Sequence, residues 1–146
     1  MSKTIKPLLL SVGLVLGINA SAADPLNNTK WVNYNKKGEA NAVLKFNENG
    51  GKLSAEIVDI LDKPANNKKC ASCKGKFQNK PLAGATVIWD LKPDPNNPNR
   101  YIDGEGIDPK TGITFSGKAQ LEGDSLKLRG YKGISLIGKT HVLKRL

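Results

Sequence analysis

Histidine is almost missing from this 146-residue chain: His141 stands alone. A Ser-His-Asp hydrolase would have to run on it, and neither Ser116 nor Ser135 has an identifiable general base. Cysteine is equally scarce, with two residues, so a four-ligand Cys/His zinc module lacks ligands and a disulfide-dense miniprotein lacks bridges. Aromatics make up only 5% of the chain, and arginine occurs only at positions 100, 129 and 145. Proteins that hold nucleic acid pair arginine with stacking aromatics along a groove, so that partner is excluded. Acidic residues are outnumbered, 13 against 23 Lys and Arg, and the net charge of +10 is carried nearly all by lysine. No long uninterrupted apolar stretch reaches the roughly 20 residues that span a bilayer as a helix, so the chain is not membrane-spanning.

What is present begins with a leader. Lys3 and Lys6 precede an apolar run from Pro7 to Ile18 broken only by Ser11, and small residues follow at Ala20-Ser21-Ala22. A basic start, roughly ten apolar residues and an A-x-A exit read as a secretory signal peptide over residues 1–22, cleaved after Ala22. Residues 23–146 then form one domain, destined for the periplasm or the exterior. A lysine-rich surface there attracts anionic envelope lipid or polysaccharide, weakly and in a salt-dependent way, or serves solubility alone.

Past the leader, periodicity is two rather than 3.6. Runs at Thr29–Tyr34, Ala40–Phe46, Leu53–Ile57, Ala85–Lys92, Arg100–Asp108, Phe115–Leu121, Ser125–Tyr131 and Ile134–Leu143 alternate or are rich in β-branched and aromatic residues. Most are joined by turn sequences such as Asn49-Gly50-Gly51 and Asp108-Pro109-Lys110-Thr111-Gly112. Pro93–Asn99, with three prolines, reads as a loop, and Gly104 and Gly106 suggest bending or tight packing. Short turns force antiparallel neighbours. The expected fold is all-β, an eight-stranded antiparallel up-and-down barrel of meander topology, with a two-sheet sandwich as the competitor.

Three segments carry a resemblance: Ile107-Asp108-Pro109-Lys110-Thr111-Gly112, Phe115-Ser116-Gly117-Lys118, and the run from Leu126 to Gly138 that contains Arg129-Gly130-Tyr131-Lys132-Gly133-Ile134-Ser135-Leu136. With Asp24-Pro25 ahead of Trp31, they make the chain similar to a family of small secreted bacterial proteins known as domain of unknown function 2147, whose fold is similar to lipocalins and other calycins. The resemblance implies a small-molecule-binding barrel and no established activity. By analogy, Trp31 closes the barrel floor beneath Arg145 through cation–π stacking, although Thr29 stands where such chains usually carry Gly.

Cys70-Ala71-Ser72-Cys73 lies in a lysine-rich loop of about residues 61–83, placed over one end of the barrel. In an oxidising compartment the two cysteines should pair as a disulfide that stiffens the loop. A thiol-redox role is the sharper alternative, since nearby lysines lower thiol pKa, but no amphipathic helix follows Cys73. Lys74 in place of His excludes haem attachment, and no metal or other cofactor is expected. Asp103 and Glu105 share one strand, which cannot supply the opposed carboxyls of a glycosidase. Asp94, Asn96, Asn97 and Asn99 read as turn formers rather than calcium ligands.

The leading functional expectation is therefore a non-enzymatic binding module for a small hydrophobe, a lipid or fatty acid. Leu44, Phe46, Leu53, Ile57, Val87, Trp89, Phe115, Leu126, Leu128, Ile134 and Leu136 would line its pocket, with Val142 on the same side of the last strand. Arg129, opposite Leu128, points outward. The rival is an envelope interaction protein with a solid core, working through its basic face.

Overall fold

The structure, a computed structural model, describes residues 23–61, 69–133 and 138–146. Eight strands follow one another: β1 (Thr29–Tyr34), β2 (Ala40–Asn49), β3 (Lys52–Ile60), β4 (Thr86–Asp94), β5 (Asn97–Ile107), β6 (Thr114–Glu122), β7 (Ser125–Tyr131) and β8 (Gly138–Arg145). Each pairs antiparallel with the next, and β1 pairs with β8, so the sheet closes into an up-and-down barrel. Closure leaves no full-length free edge, which is what an all-antiparallel meander gains by curling. The expected eight-stranded meander is the observed fold.

The turns at Gly50-Gly51, 95–96 and 123–124, together with the C-terminus, mark one end of the barrel, here the lower end. The β3–β4 and β5–β6 connections mark the upper end. A belt of side chains, one from each strand, fills the lower half: Trp31, Phe46, Leu53, Leu91, Tyr101, Ala119, Leu126 and Leu143, all essentially inaccessible. Burying each large member stabilises the fold by about 1.5–3 kcal/mol. Register follows from this belt, because a one-residue slip of any strand would turn its member outward.

Two expectations need correction. Pro93–Asn99 is not a loop; β4 runs through Pro93 and β5 through Pro98, leaving only 95–96 as the turn. The prolines sit at the last rungs of the sheet, where a missing N–H is tolerated. Asp94 Oδ1 accepts from Asn96 N at 2.9 Å and Asn97 Oδ1 from Asn99 N at 3.1 Å, so local side chains supply the turn. The last strand has the opposite facing from that expected: Leu143 is fully buried and Val142 is 40% exposed. Leu143 opposes both Leu126 and Asn33, and this pairing on two sides fixes its orientation.

Alternation along β4 is also interrupted. Register shifts against β3, with Asp90 at φ 58° and Asp103 of β5 at φ 58°, leave Val87 and Leu91 buried and Trp89 only partly so. Bulges of this kind bend a strand and suit a small barrel.

The glycines of β5 and β7 are places of close approach. A Cβ on Gly106 would lie 2.6 Å from the Phe115 ring, and one on Gly130 2.9 Å from it. A Cβ on Gly104 would meet Leu91 Cδ1 at 2.7 Å. Large side chains thus use the wall's own gaps. Gly106→Ala should cost about 1–3 kcal/mol by overpacking, measured by urea unfolding, and adding Phe115→Leu should restore part of it. Equal, additive losses would show that the ring does not press on this position.

Candidate functional site

A barrel can take a ligand only through an end or a parted wall, so the two ends decide what the interior can do. The lower end is sealed from the sequence outward. Leu26, fully buried, plugs it. Asp24 holds the plug: its Oδ1 accepts from Leu26 N at 2.8 Å and from the Tyr101 hydroxyl at 2.9 Å. Asp24 N in turn donates to Glu48 Oε1 at 2.9 Å, and Glu48 N to Asn27 Oδ1 at 2.8 Å.

Thr29, at the position where the resemblance implied Gly, has a role of its own here. Its Oγ1 accepts from the buried Trp31 Nε1 at 2.8 Å and donates to Leu26 O at 2.6 Å, so the indole N–H is satisfied inside the barrel. The Arg145 guanidinium lies 4.5 Å from the Trp31 ring centroid, and its Nε lies 3.7 Å from Asp124 Oδ1. Arg145 is itself exposed and covers the seal from outside.

Tyr101 was not among the residues singled out from sequence. Its hydroxyl pKa is raised well above the ordinary value of about 10, first by burial, then by donation to the Asp24 carboxylate, and then by the negative charges of Asp24 and Glu48. Strict alternation would have put it on the outer face with Asp103 and Glu105; the register shift between Tyr101 and Gly104, with Asp103 at φ 58°, turns it inward. The partner, 77 residues away, was invisible.

The upper end is built differently. Its cover is the described part of the β3–β4 connection, Lys69–Ala85, which contains a single 3-10 turn over Gly75–Phe77. Cys70 and Cys73 form a disulfide. Cys70 N donates to Lys80 O at 2.8 Å and Asn79 N to Cys70 O at 2.8 Å, folding the segment back on itself. Cys73 and Phe77 drop into the core, while Lys74 N reaches Pro109 O of the β5–β6 turn at 3.0 Å. Lys76 Nζ stands 5.2 Å from the Phe77 ring centroid and 5.7 Å from that of Trp89. No α-helix N-terminus addresses either sulfur among the described residues, so a thioredoxin-like arrangement is not what surrounds them.

Of the residues expected to line a pocket, Phe46, Leu53 and Leu126 belong to the sealed lower belt. Leu44, Ile57 and Val87 are buried higher up and belong, like Cys73 and Phe77, to the core cluster. Leu128, Trp89 and Phe115 are half-buried. Ile134, Leu136, Ala20 and Ala22 lie outside the described residues. Only three pairs, Trp31–Arg145 to Asn33–Leu143, join β1 to β8, so the upper part of β8 is held by β7 alone. His141, opposite Leu128, is exposed there. Two hollows of about 220 and 230 Å³ open on the outer wall rather than in the interior; the first is bordered by Arg100, Lys118, Lys127 and Arg129. Arg129 does point outward, donating to Thr140 Oγ1 at 2.9 Å. Asp103 and Glu105 are both exposed.

Comparison with known proteins adds two findings. The model of a family described as "uncharacterized protein conserved in bacteria (DUF2147)" matches residues 29–145. The fold is similar to a solved structure described as protein HP1028 from the human pathogen Helicobacter pylori, which belongs to the lipocalin family. Identity is 19%, the TM-score is 0.68, and the match covers 86% of this chain and 84% of that one. No curated protein matches the sequence.

The lower seal predicts an alkaline behaviour. Because the folded pKa of Tyr101 exceeds its unfolded value, its contribution to stability is complete below about pH 10 and is lost as pH rises toward the folded value. Phenolate absorbance of the native protein minus that of Tyr101→Phe should show Tyr101 ionising only well above pH 10, together with unfolding. Ionisation of Tyr101 near 10 in the folded protein would contradict the burial and Asp24 contact. For the cover, replacing both Cys70 and Cys73 by Ser should speed protease cutting between Lys69 and Lys80 while leaving the barrel's unfolding midpoint nearly unchanged, since so short a loop carries little loop-closure entropy. Global unfolding of the double variant would refute that.

Proposed function

From its membership of the bacterial family DUF2147, to which this chain belongs, and from its lipocalin-like barrel, we propose that it binds a small hydrophobe, a fatty acid or lipid, in the upper half of the barrel. The observation that carries this reading is who fills that space. The lower belt comes from strands, but the upper end is stoppered by Phe77 and Cys73 from a connecting segment. Moving them exposes an apolar wall of Leu44, Ile57, Val87 and Leu128 without breaking a strand pair. An acyl chain would replace the Phe77 ring with equivalent apolar surface, a site of the usual kind for such ligands.

The closed state sets the affinity. Unburying Phe77 costs about 1.5–3 kcal/mol, so the apparent affinity falls roughly 10- to 150-fold below that of the open barrel. The expected leader over residues 1–22 supports a site of action in the periplasm or outside the cell, where free fatty acids and envelope lipids are at hand. Among the described residues no helix is long and apolar enough to cross a membrane.

Fluorescence titration with cis-parinaric acid tests the reading. The native protein should take up the probe, and Phe77→Ala, still folded by thermal unfolding, should bind it about tenfold more tightly by removing the competitor. If neither protein takes up the probe, the barrel is a solid core and the rival reading, an interaction protein using its basic exterior, replaces this one.

A further inference from the structure

The upper rim carries three large apolar side chains in water. Ile113 of the β5–β6 turn is 52% exposed, and Tyr34 at the end of β1 and Leu61 just past β3 are each 38% exposed. They come from three separate places on the circumference, yet all lie at one end; of the other large exposed apolar side chains among the described residues, Val142 lies singly on the wall of β8 and Leu146 is the C-terminal residue. Positive charge is concentrated at the same end. Lys36, Lys37, Lys69, Lys74, Lys76, Lys80, Lys110, Lys132 and Lys139 are exposed around the upper end, against Glu39, Asp59, Glu105 and Asp108. At the lower end the signs nearly balance: Asp94, Glu122 and Asp124 pair with Arg100, Lys127 and Arg145, and Asp24 and Glu48 are set against Lys30, Lys52, Lys92 and Lys144.

We infer that the upper rim docks on an anionic lipid bilayer, with Ile113, Leu61 and Tyr34 entering the interface and the surrounding lysines facing lipid headgroups. Each half of the pattern selects the partner. Lysines are drawn to a negatively charged surface, in proportion to their number and within a Debye length. Exposed isoleucine and leucine gain nothing from a polysaccharide or a soluble anion, but they gain burial at a headgroup–acyl boundary. Tyrosine suits that boundary through its apolar ring and polar tip. The lower end, where acidic and basic groups nearly balance, is drawn to that surface less than the upper end, so the cover faces the bilayer.

The inference deepens the reading of the barrel as a lipid carrier, and its purpose rests on that reading. Docking itself is measured separately. The cover that carries Phe77 would then face the lipid, and the segment that must move is the one in contact.

Flotation of the chain lacking residues 1–22 with vesicles tests it. Binding to phosphatidylglycerol/phosphatidylethanolamine vesicles should exceed binding to phosphatidylcholine vesicles at least tenfold and weaken with salt. The Leu61→Ser and Ile113→Ser double variant should lose about tenfold, and so should Lys36→Gln with Lys37→Gln and Lys110→Gln. Lys118→Gln with Lys127→Gln on the outer wall should change binding less than twofold. Equal loss from rim and wall lysines, or an undiminished Ser variant, would overturn the inference by leaving only non-specific charge attraction. So would preference for polygalacturonate over vesicles. Failure of docking with parinaric acid uptake intact would sink this inference alone. Docking without uptake by native or Phe77→Ala protein would leave the docking surface standing and remove the carrier reading.

Discussion

The filled belt at the lower end is the constraint on which the rest depends. Eight strands leave an interior only as wide as the side chains they point inward, and here every strand supplies one member of a single packed layer. Trp31, Tyr101 and Phe46 take the largest share, Ala119 is the smallest member, and Gly104 leaves space for Leu91. Such a layer fixes the register of all eight strands at once, and it makes closure between β1 and β8 possible with only three residue pairs. The short seam is enough because Leu143 and Trp31 are held by packing from within as well as by their ladder.

Stability and binding are therefore divided along the barrel axis. Below, polar groups that must be buried find partners at once: the Trp31 indole in Thr29, the Tyr101 hydroxyl in Asp24, the Asp24 amide in Glu48. An unmet donor in this layer would cost about 1–3 kcal/mol, so the network keeps the end sealed rather than merely decorated. Above, the cover presents few buried groups, Cys73 and Phe77 chief among them, and its hydrogen bonds are largely its own. Segments with little burial and few outside contacts are the ones that open locally at low cost.

Much of this was legible in the sequence, and the failures have physical reasons. Period-two alternation and glycine turns located all eight strands, because a half-buried strand must alternate. Pro93 and Pro98 were misread as loop, since composition does not reveal that their rungs are the last of the sheet, where no N–H is needed. Val142 was placed inward because Ile134 and Leu136 suggested a phase that β8, beginning at Gly138, does not follow. Trp89 was read as core because alternation was assumed to run through Asp90, which instead takes a positive φ. Asp24 and Tyr101 could not be joined at all; nothing local marks a residue ahead of β1 and one on β5, 77 positions apart, as partners. Thr29 looked like a loss when compared with the expected Gly, yet a hydroxyl at that point accepts the indole hydrogen that a glycine would leave to another group.

The disulfide fits the same division. A bridge between residues three apart closes too small a loop to restrain the unfolded chain much, so as a staple for the barrel it would be badly placed. Within the cover it is well placed. With Cys70 also bonded to Lys80 and Asn79, the bridge keeps Lys69–Lys80 one compact piece. A segment already ordered loses little further freedom when it moves as a unit, so in the proposed reading the cost of opening lies chiefly in the apolar surface of Phe77 and Cys73, the hydrogen bond from Lys74 to Pro109 and the stacking of Lys76 on Trp89. That is an amount an acyl chain of ordinary length can replace by its own burial, whereas displacing any member of the lower belt would also break the strand register that makes the site.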